Sequence, residues 1–259
     1  MLTATHLTVR IGRRCILADV GFQARAGAVT AIVGPNGSGK TSLLRALTGE
    51  VASQGRIILN GIDIATARPA HLAGIRAVLP QSTPLAFPFL VAEVVRPGLM
   101  SGLAARDHSV VGQALAAVGL KGFAMRLYQE LSGGEQQRVQ LARVLAQVWE
   151  PTGPEGPRWL FLDEPVASLD IGHQLQVIPL ARRYADAGGG VVAVMHDLNL
   201  TAMFADHVAL LAEGRVLAAG HPSDILTDSH LSRAYGCALR VNTPPAIGTY
   251  ILPHAAGIA

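Results

Sequence analysis

Leu131-Ser132-Gly133-Gly134-Glu135-Gln136-Gln137-Arg138 reads as the start of a helix whose first backbone amides are left bare. Ser132 is followed three residues later by Glu135, ahead of an apolar-periodic run through Val139, Leu141, Ala142 and Leu145. That is a capping box. Gly133 and Gly134 place no side chain over the helix N-terminal N–H groups, so an anion can approach them closely. Alone, S-x-x-E describes an ordinary capped surface helix. It gains weight because the same chain carries a second glycine-rich, anion-suited segment.

That segment is Gly34-Pro35-Asn36-Gly37-Ser38-Gly39-Lys40-Thr41, a complete G-x-x-x-x-G-K-[ST] loop. It follows the β-branched run Val29-Thr30-Ala31-Ile32-Val33 and precedes a helix predicted from about Thr41 to Thr48, the context the motif requires. Successive N–H groups would cradle phosphates, Lys40 would reach the outer ones and the Thr41 hydroxyl would ligate Mg²⁺. Of the 21 basic residues only Lys40 and Lys121 are lysines. One of the two stands where a compact point charge is wanted.

Two further strands end in chemistry. Trp159-Leu160-Phe161-Leu162 runs into Asp163-Glu164, and in an open α/β sheet ligands bind beyond the carboxyl ends of strands. Asp163 suits Mg²⁺, directly or through water. Glu164 suits polarising an attacking water, a role worth about 10²–10⁴-fold in rate. Val191-Val192-Ala193-Val194-Met195 delivers His196 in the same way, favouring contact with a γ-phosphate. Gln81, after Ala77-Val78-Leu79-Pro80, sits at another strand exit and says nothing by itself.

The rest of the chain frames these motifs. Residues 2 to 30 alternate short apolar runs with turns at Gly12 and Gly27, suggesting antiparallel strands. Further strands are expected at Arg56–Leu59, Ala77–Leu79, Trp159–Leu162, Val191–Met195 and His207–Leu211. From roughly 90 to 150 the sequence is Ala- and Leu-rich with helical periodicity, an inserted helical lobe. Resumed alternation of strand and helix argues for a mostly parallel sheet. The Glu150–Pro157 stretch, with three prolines and two glycines, reads as an irregular surface loop.

With half its 259 residues apolar and 15% charged, the chain is globular. A net charge of +3 with scattered basic residues gives no nucleic-acid patch. Cys15 and Cys237 have no metal or redox spacing and read as buried thiols in a reducing compartment. No signal peptide is expected, and the longest uncharged stretch, 241–259, contains three prolines and does not read as a membrane span. The histidines other than His196 read as surface or packing residues.

In order along the chain these motifs resemble the ATP-binding cassette family of transporter ATPases. Walker A lies at 34–41, the Q-loop at Gln81, the signature at 131–138, Walker B at 159–164, the D-loop around Ala167-Ser168-Leu169-Asp170 and the switch histidine at His196. The resemblance implies an α/β fold: a P-loop NTPase (RecA-like) core with an N-terminal antiparallel β subdomain and an inserted α-helical subdomain. It makes residues 1–259 one nucleotide-binding domain, with an ATP-binding core at about 1–89 and 150–259 and the signature subdomain at about 90–149.

The family's roles carry over by position. Gly34, Pro35, Asn36, Gly37, Ser38, Gly39, Lys40 and Thr41 would bind ATP, and Thr41, Gln81 and Asp163 would hold Mg²⁺. Glu164 would be the general base, with His196 and Gln81 completing the catalytic set. Ser132, Gly133, Gly134 and Gln136 would contact nucleotide bound to the opposite subunit, which implies a homodimer. The family's adenine-stacking aromatic in the first strand has Val9 at the matching position, with Arg10 beside it. Either Arg13 or Arg14 stacks instead, or adenine is held loosely.

Within the family, the 79–89 segment, His196-Asp197-Leu198-Asn199-Leu200, the 150–158 loop, Asp224-Ile225-Leu226-Thr227 and Tyr235-Gly236 look like the bacterial haemin importers. That resemblance implies an ATPase peripheral to the cytoplasmic face of the inner membrane, touching the membrane only through two permease subunits. A periplasmic haemin-binding protein would be an indirect partner, and nucleic acid none. The alternatives are a ferric-siderophore or cobalamin importer and a soluble non-transport cassette ATPase. No residue here should bind haem itself. Phe87, Pro88 and Phe89 are apolar residues where the family docks its permease, or ordinary core.

Overall fold

Strand Val29–Val33 is buried at all five positions, and so are Trp159–Asp163 and Gly190–Val194. Near-continuous β-branched and aromatic runs of this kind belong to parallel strands covered on both faces. The structure is a computed structural model that describes residues 1–81, 85, 87–100, 109–167 and 169–253. Ser82, Thr83, Pro84, Ala86, Ser168 and His254 lie outside the described residues.

In chain order the elements are β1 (Leu2–Ile11), β2 (Arg14–Ala24), β3 (Val29–Val33), α1 (Lys40–Leu47), β4 (Gln54–Leu59), β5 (Ile62–Asp63), α2 (Pro69–Ile75) and β6 (Arg76–Leu79). There follow α3 (Val91–Met100), α4 (Ser109–Ala117), α5 (Gly133–Gln147), β7 (Thr152–Gly153), β8 (Gly156–Pro157), β9 (Trp159–Asp163), α6 (Ile171–Asp186) and β10 (Gly190–Val194). The chain continues through α7 (Leu198–Phe204), β11 (His207–Ala212), β12 (Arg215–Gly220), α8 (Pro222–Ile225) and α9 (Asp228–Tyr235).

Two sheets carry the architecture. An antiparallel one has the order β2-β1-β4-β5, and a six-stranded one the order β12-β11-β3-β10-β9-β6. In the larger sheet every pairing is parallel except β11 with β12. Side chains alternate between two cores as the two-residue period of a strand dictates. Val29, Ala31, Val33, Leu160, Leu162, Val191 and Ala193 pack into the core that includes α3 to α7. Ile32, Trp159, Phe161, Val192 and Val194 pack into the other, with α1 and the antiparallel sheet. Phosphate loop, acidic pair and histidine therefore leave the same end of adjacent strands.

Three expectations need correction. Cys15 and Cys237 are exposed, not buried. The 150–158 stretch contains a small hairpin, β7 against β8, held by specific contacts. Asn60 donates to Pro157 O at 2.7 Å and accepts from Trp159 Nε1 at 3.0 Å, while Arg158, 3% exposed, donates to Glu150 O at 2.9 Å. Val9 is fully buried, opposite Leu17 in the β1–β2 pairing, and faces the core.

Candidate functional site

The loop between β3 and α1 is shaped by three glycines that side chains would not tolerate. Gly34, Gly37 and Gly39 have φ of +147°, +77° and +103°. A Cβ on Gly34 would lie 2.0 Å from Leu211 O, and one on Gly39 2.7 Å from Leu17 Cδ2. Helix α1 begins at Gly39 with no side-chain cap, so its first amides keep their donors for an anion. Lys40 is 6% exposed and its Nζ donates to Gly34 O (2.9 Å) and Pro35 O (3.0 Å). Burial lowers its pKa, and the charges of Glu164 and Asp163 act the other way.

The register of β9 places Asp163 opposite Val194, immediately beside the start of α1. Thr41 Oγ1 donates to Asp163 Oδ1 at 3.0 Å. The second carboxylate oxygen, Oδ2, is buried with no hydrogen-bond partner among the described residues. Burial raises the pKa of Asp163, partly offset by the Thr41 bond. A buried carboxylate with one free oxygen next to a threonine hydroxyl is a donor set that fits a hard divalent cation.

Glu164 has φ +53°, uncommon for a residue with a side chain, and backbone strain of this kind clusters at functional sites. Its conformation is held from several directions. Its N–H donates to Val194 O (3.2 Å), and its carbonyl accepts from Gln137 Nε2 (3.0 Å). Its Oε2 accepts from Gln81 Nε2 at 2.9 Å, and its Oε1 lies 2.5 Å from His196 Nε2. Gln81, Glu164 and His196, far apart in sequence, are thus one cluster.

A cleft of about 300 Å³ joins these parts, with Arg14 and Ile16 of β2, Lys40 and Thr41 of α1, and Glu164 and His196 among its lining residues. Since Val9 faces the core, the side wall comes from elsewhere than expected. Ile11 pairs directly with Arg14, so it shares Arg14's face of the antiparallel sheet, and it is 58% exposed. The sequence offers Arg14 only as an alternative to Arg13 for stacking on adenine, and it does not single out Ile16 and Gln137; their places depend on strand register and on a contact between distant segments.

Ser132 caps α5 with both halves of a capping box, its Oγ accepting from Glu135 N and Glu135 accepting from Ser132 N at 2.8 Å. Gly133 and Gly134 open the helix. A Cβ on Gly133 would meet nothing within 4 Å among the described residues, and its backbone is not left-handed, so no described contact requires glycine there. Gln136 turns inward, its Nε2 donating to Tyr128 O (3.2 Å) and Leu131 O (3.1 Å). None of Ser132, Gly133, Gly134 and Gln136 lines the cleft at the phosphate loop of the same chain.

Among solved structures the fold matches a nucleotide-free ATP-binding cassette from an ABC transporter, with TM-score 0.78 and 23% identity over 91% of this chain and 98% of that one. It also matches a dimeric cassette in a post-hydrolysis state bound to ADP and Pi, with TM-score 0.74 and 25% identity over 86% and 99%. Among curated relatives, the hemin import ATP-binding protein HmuV of Roseobacter denitrificans is 63% identical over 256 residues, 98% of each chain. HmuV of a Jannaschia species is 62% identical over 257 residues, 99% of this chain and 95% of the relative. The family model described as "ABC transporter" matches residues 17–167. The chain belongs to the ABC transporter family.

Proposed function

We propose that this chain is the ATP-hydrolysing subunit of a bacterial haemin importer. The observation that carries the hydrolytic part is the Gln81–Glu164–His196 cluster, whose Glu164 and His196 line one cleft together with Lys40 and Thr41. Near-full-length relatives named as hemin import proteins support the cargo. In this reading residues from about 1–89 and 150–259 make up the ATP-binding core, and about 90–149 the signature subdomain.

In this reading residues 34–41 bind the ATP phosphates, and Thr41 and Asp163, with Gln81 through water, hold Mg²⁺. Bound there, Mg²⁺ would neutralise charge on the β- and γ-phosphate oxygens. Glu164 accepts a proton from water as its oxygen bonds to the γ-phosphorus and the bond to the ADP oxygen breaks. His196 leaves Glu164 and donates to the γ-phosphate. Ser132, Gly133 and Gly134 bind the ATP of a second copy, because within their own chain they do not line the cleft. Gln136 supports that helix start through Tyr128 and Leu131.

Two such copies would act on two permease subunits at the cytoplasmic face of the inner membrane, with a periplasmic haemin-binding protein upstream. No helix among the described residues is long and apolar enough to cross a membrane. Phe87 and Phe89 are 69% and 38% exposed, with rings edge-to-face at 6.3 Å, which supports a docking role over core packing. The test is ATPase activity in proteoliposomes with the co-purified permease. Haemin-loaded binding protein should stimulate it, and the Phe87→Ala/Phe89→Ala pair should abolish stimulation while sparing basal turnover. Stimulation by a siderophore-loaded protein alone would overturn the cargo.

A further inference from the structure

We infer that Gly214, in the turn between β11 and β12, is a positioning residue of the ATP site that locks the phosphate loop to the Arg14–Ile16 wall. Glu213 and Gly214 have φ of +49° and +72°, the left-handed pair of a two-residue hairpin turn. The tip of that turn is wedged between the two sheets. Gly214 N–H donates to Ser38 O at 3.2 Å, in the middle of the phosphate loop. Gly214 O accepts from Ala18 N–H at 2.9 Å, on β2.

The fit leaves no room for a side chain. A Cβ on Gly214 would stand 2.3 Å from Ile16 O and 3.2 Å from its carbonyl carbon. Ile16 lines the cleft, and its neighbour Leu17 abuts Gly39 of the loop. Strands β2 and β12 are the edge strands of the two sheets, so the Ala18–Gly214 bond ties one sheet to the other beside the nucleotide. Ser38, 3% exposed, is thereby fixed from behind. Gly214 touches no reacting atom; it sets the distance between the groups that grip phosphate and the wall beside them.

Pushing Ile16 aside should spoil binding geometry more than chemistry, because Glu164, His196 and Gln81 lie on other elements. Displacements near an ångström can cost up to about 100-fold. The experiment compares Gly214→Ala with Gly61→Ala, which carries the same left-handed strain (φ +83°) in open space away from the cleft. Gly214→Ala should raise KM for ATP at least about tenfold with kcat within about threefold. Gly61→Ala should leave KM unchanged even where it lowers Tm. Equal KM in the two variants, whether both raised or both unaltered, would overturn the inference.

Should Gly214→Ala fail to fold, hydrogen exchange of the wild-type chain decides. Addition of a non-hydrolysable ATP analogue should slow exchange at Ala18 and Gly214 together with residues 34–41, and not at Gly61. Unchanged exchange at Ala18 and Gly214 would contradict the role. The inference rests on residues 34–41 holding phosphate; a wild-type chain that binds no ATP would overturn that reading instead.

Discussion

His196 Nε2 and Glu164 Oε1 lie 2.5 Å apart, joining the ends of β10 and β9 across the face of the cleft. The other Glu164 carboxylate oxygen is held by Gln81 and its backbone carbonyl by Gln137, so side chains from three segments fix this one residue, two of them at its carboxylate. Gln137 belongs to the signature helix, which links the base directly to the surface assigned to a second subunit. In the proposed reading, ATP binding exchanges the histidine contact for water and phosphate.

Glu164→Gln should lower kcat for ATP by about 10²–10⁴-fold while leaving ATP affinity within about threefold. The amide keeps the size and the Gln81 and His196 contacts but cannot take a proton. Phosphate release and fluorescent-nucleotide titration measure the two quantities. A wild-type turnover rate would remove Glu164 from the role of base.

Thr41→Ala removes the hydroxyl bonded to Asp163 and, in the proposed reading, one ligand of the cation. Affinity for ATP in Mg²⁺ should fall about tenfold, one lost ligand being of this order. With EDTA present the variant and wild type should bind alike. An equal loss in EDTA would mean that Thr41 supports the loop and not the metal.

Ile11→Tyr should tighten ATP binding about tenfold, since base–aromatic stacking is worth about 1–3 kcal/mol and Ile11 shares the exposed face of Arg14. Val9→Tyr should instead lower Tm, because overpacking a filled core costs about 1–3 kcal/mol. Isothermal titration and thermal melts separate the two. Tighter binding by Val9→Tyr would contradict the register.

Hydrogen bonds from the Ser132 side chain and backbone hold the Glu135 carboxyl below its ordinary pKa. A depressed carboxylate pKa contributes stability above the unfolded value, lost as pH falls through the folded value. Glu135→Gln keeps the capping-box acceptor and loses only the charge, so it should melt below wild type at neutral pH by about 0.3–1 kcal/mol. Below the carboxylate range the two should converge. A gap that persists in acid would point to packing rather than charge.

Much of this site is readable along the chain because each motif is local. The buried strand before Asp163, the glycines of the loop and the capping box at Ser132 each declare themselves within eight residues. What escaped reading depends on register or distance. Strand β1 has irregularities between Ala4 and Leu7, Leu7 and Val9, and Val9 and Arg10, so counting alternate residues cannot decide that Val9 faces inward and Ile11 outward. Strand β12, Arg215–Gly220, is a half-exposed edge strand ending Ala-Ala-Gly, with little β propensity to signal it. The β7–β8 hairpin hangs on Asn60, which lies in a distant turn.

In the proposed reading the ATP site is completed by a second copy through the start of α5. Light scattering of Glu164→Gln with and without Mg-ATP tests it, alone and combined with Gly133→Asp. A negative charge at a helix N-terminus favours the isolated fold, and Gly133 has open space around it, so the added aspartate should not lower Tm. Glu164→Gln should double in mass when Mg-ATP is added, and the double variant should bind ATP yet remain one chain. Undiminished ATP-driven dimerisation of the double variant, or a Glu164→Gln chain that stays monomeric when saturated with ATP, would contradict the claim.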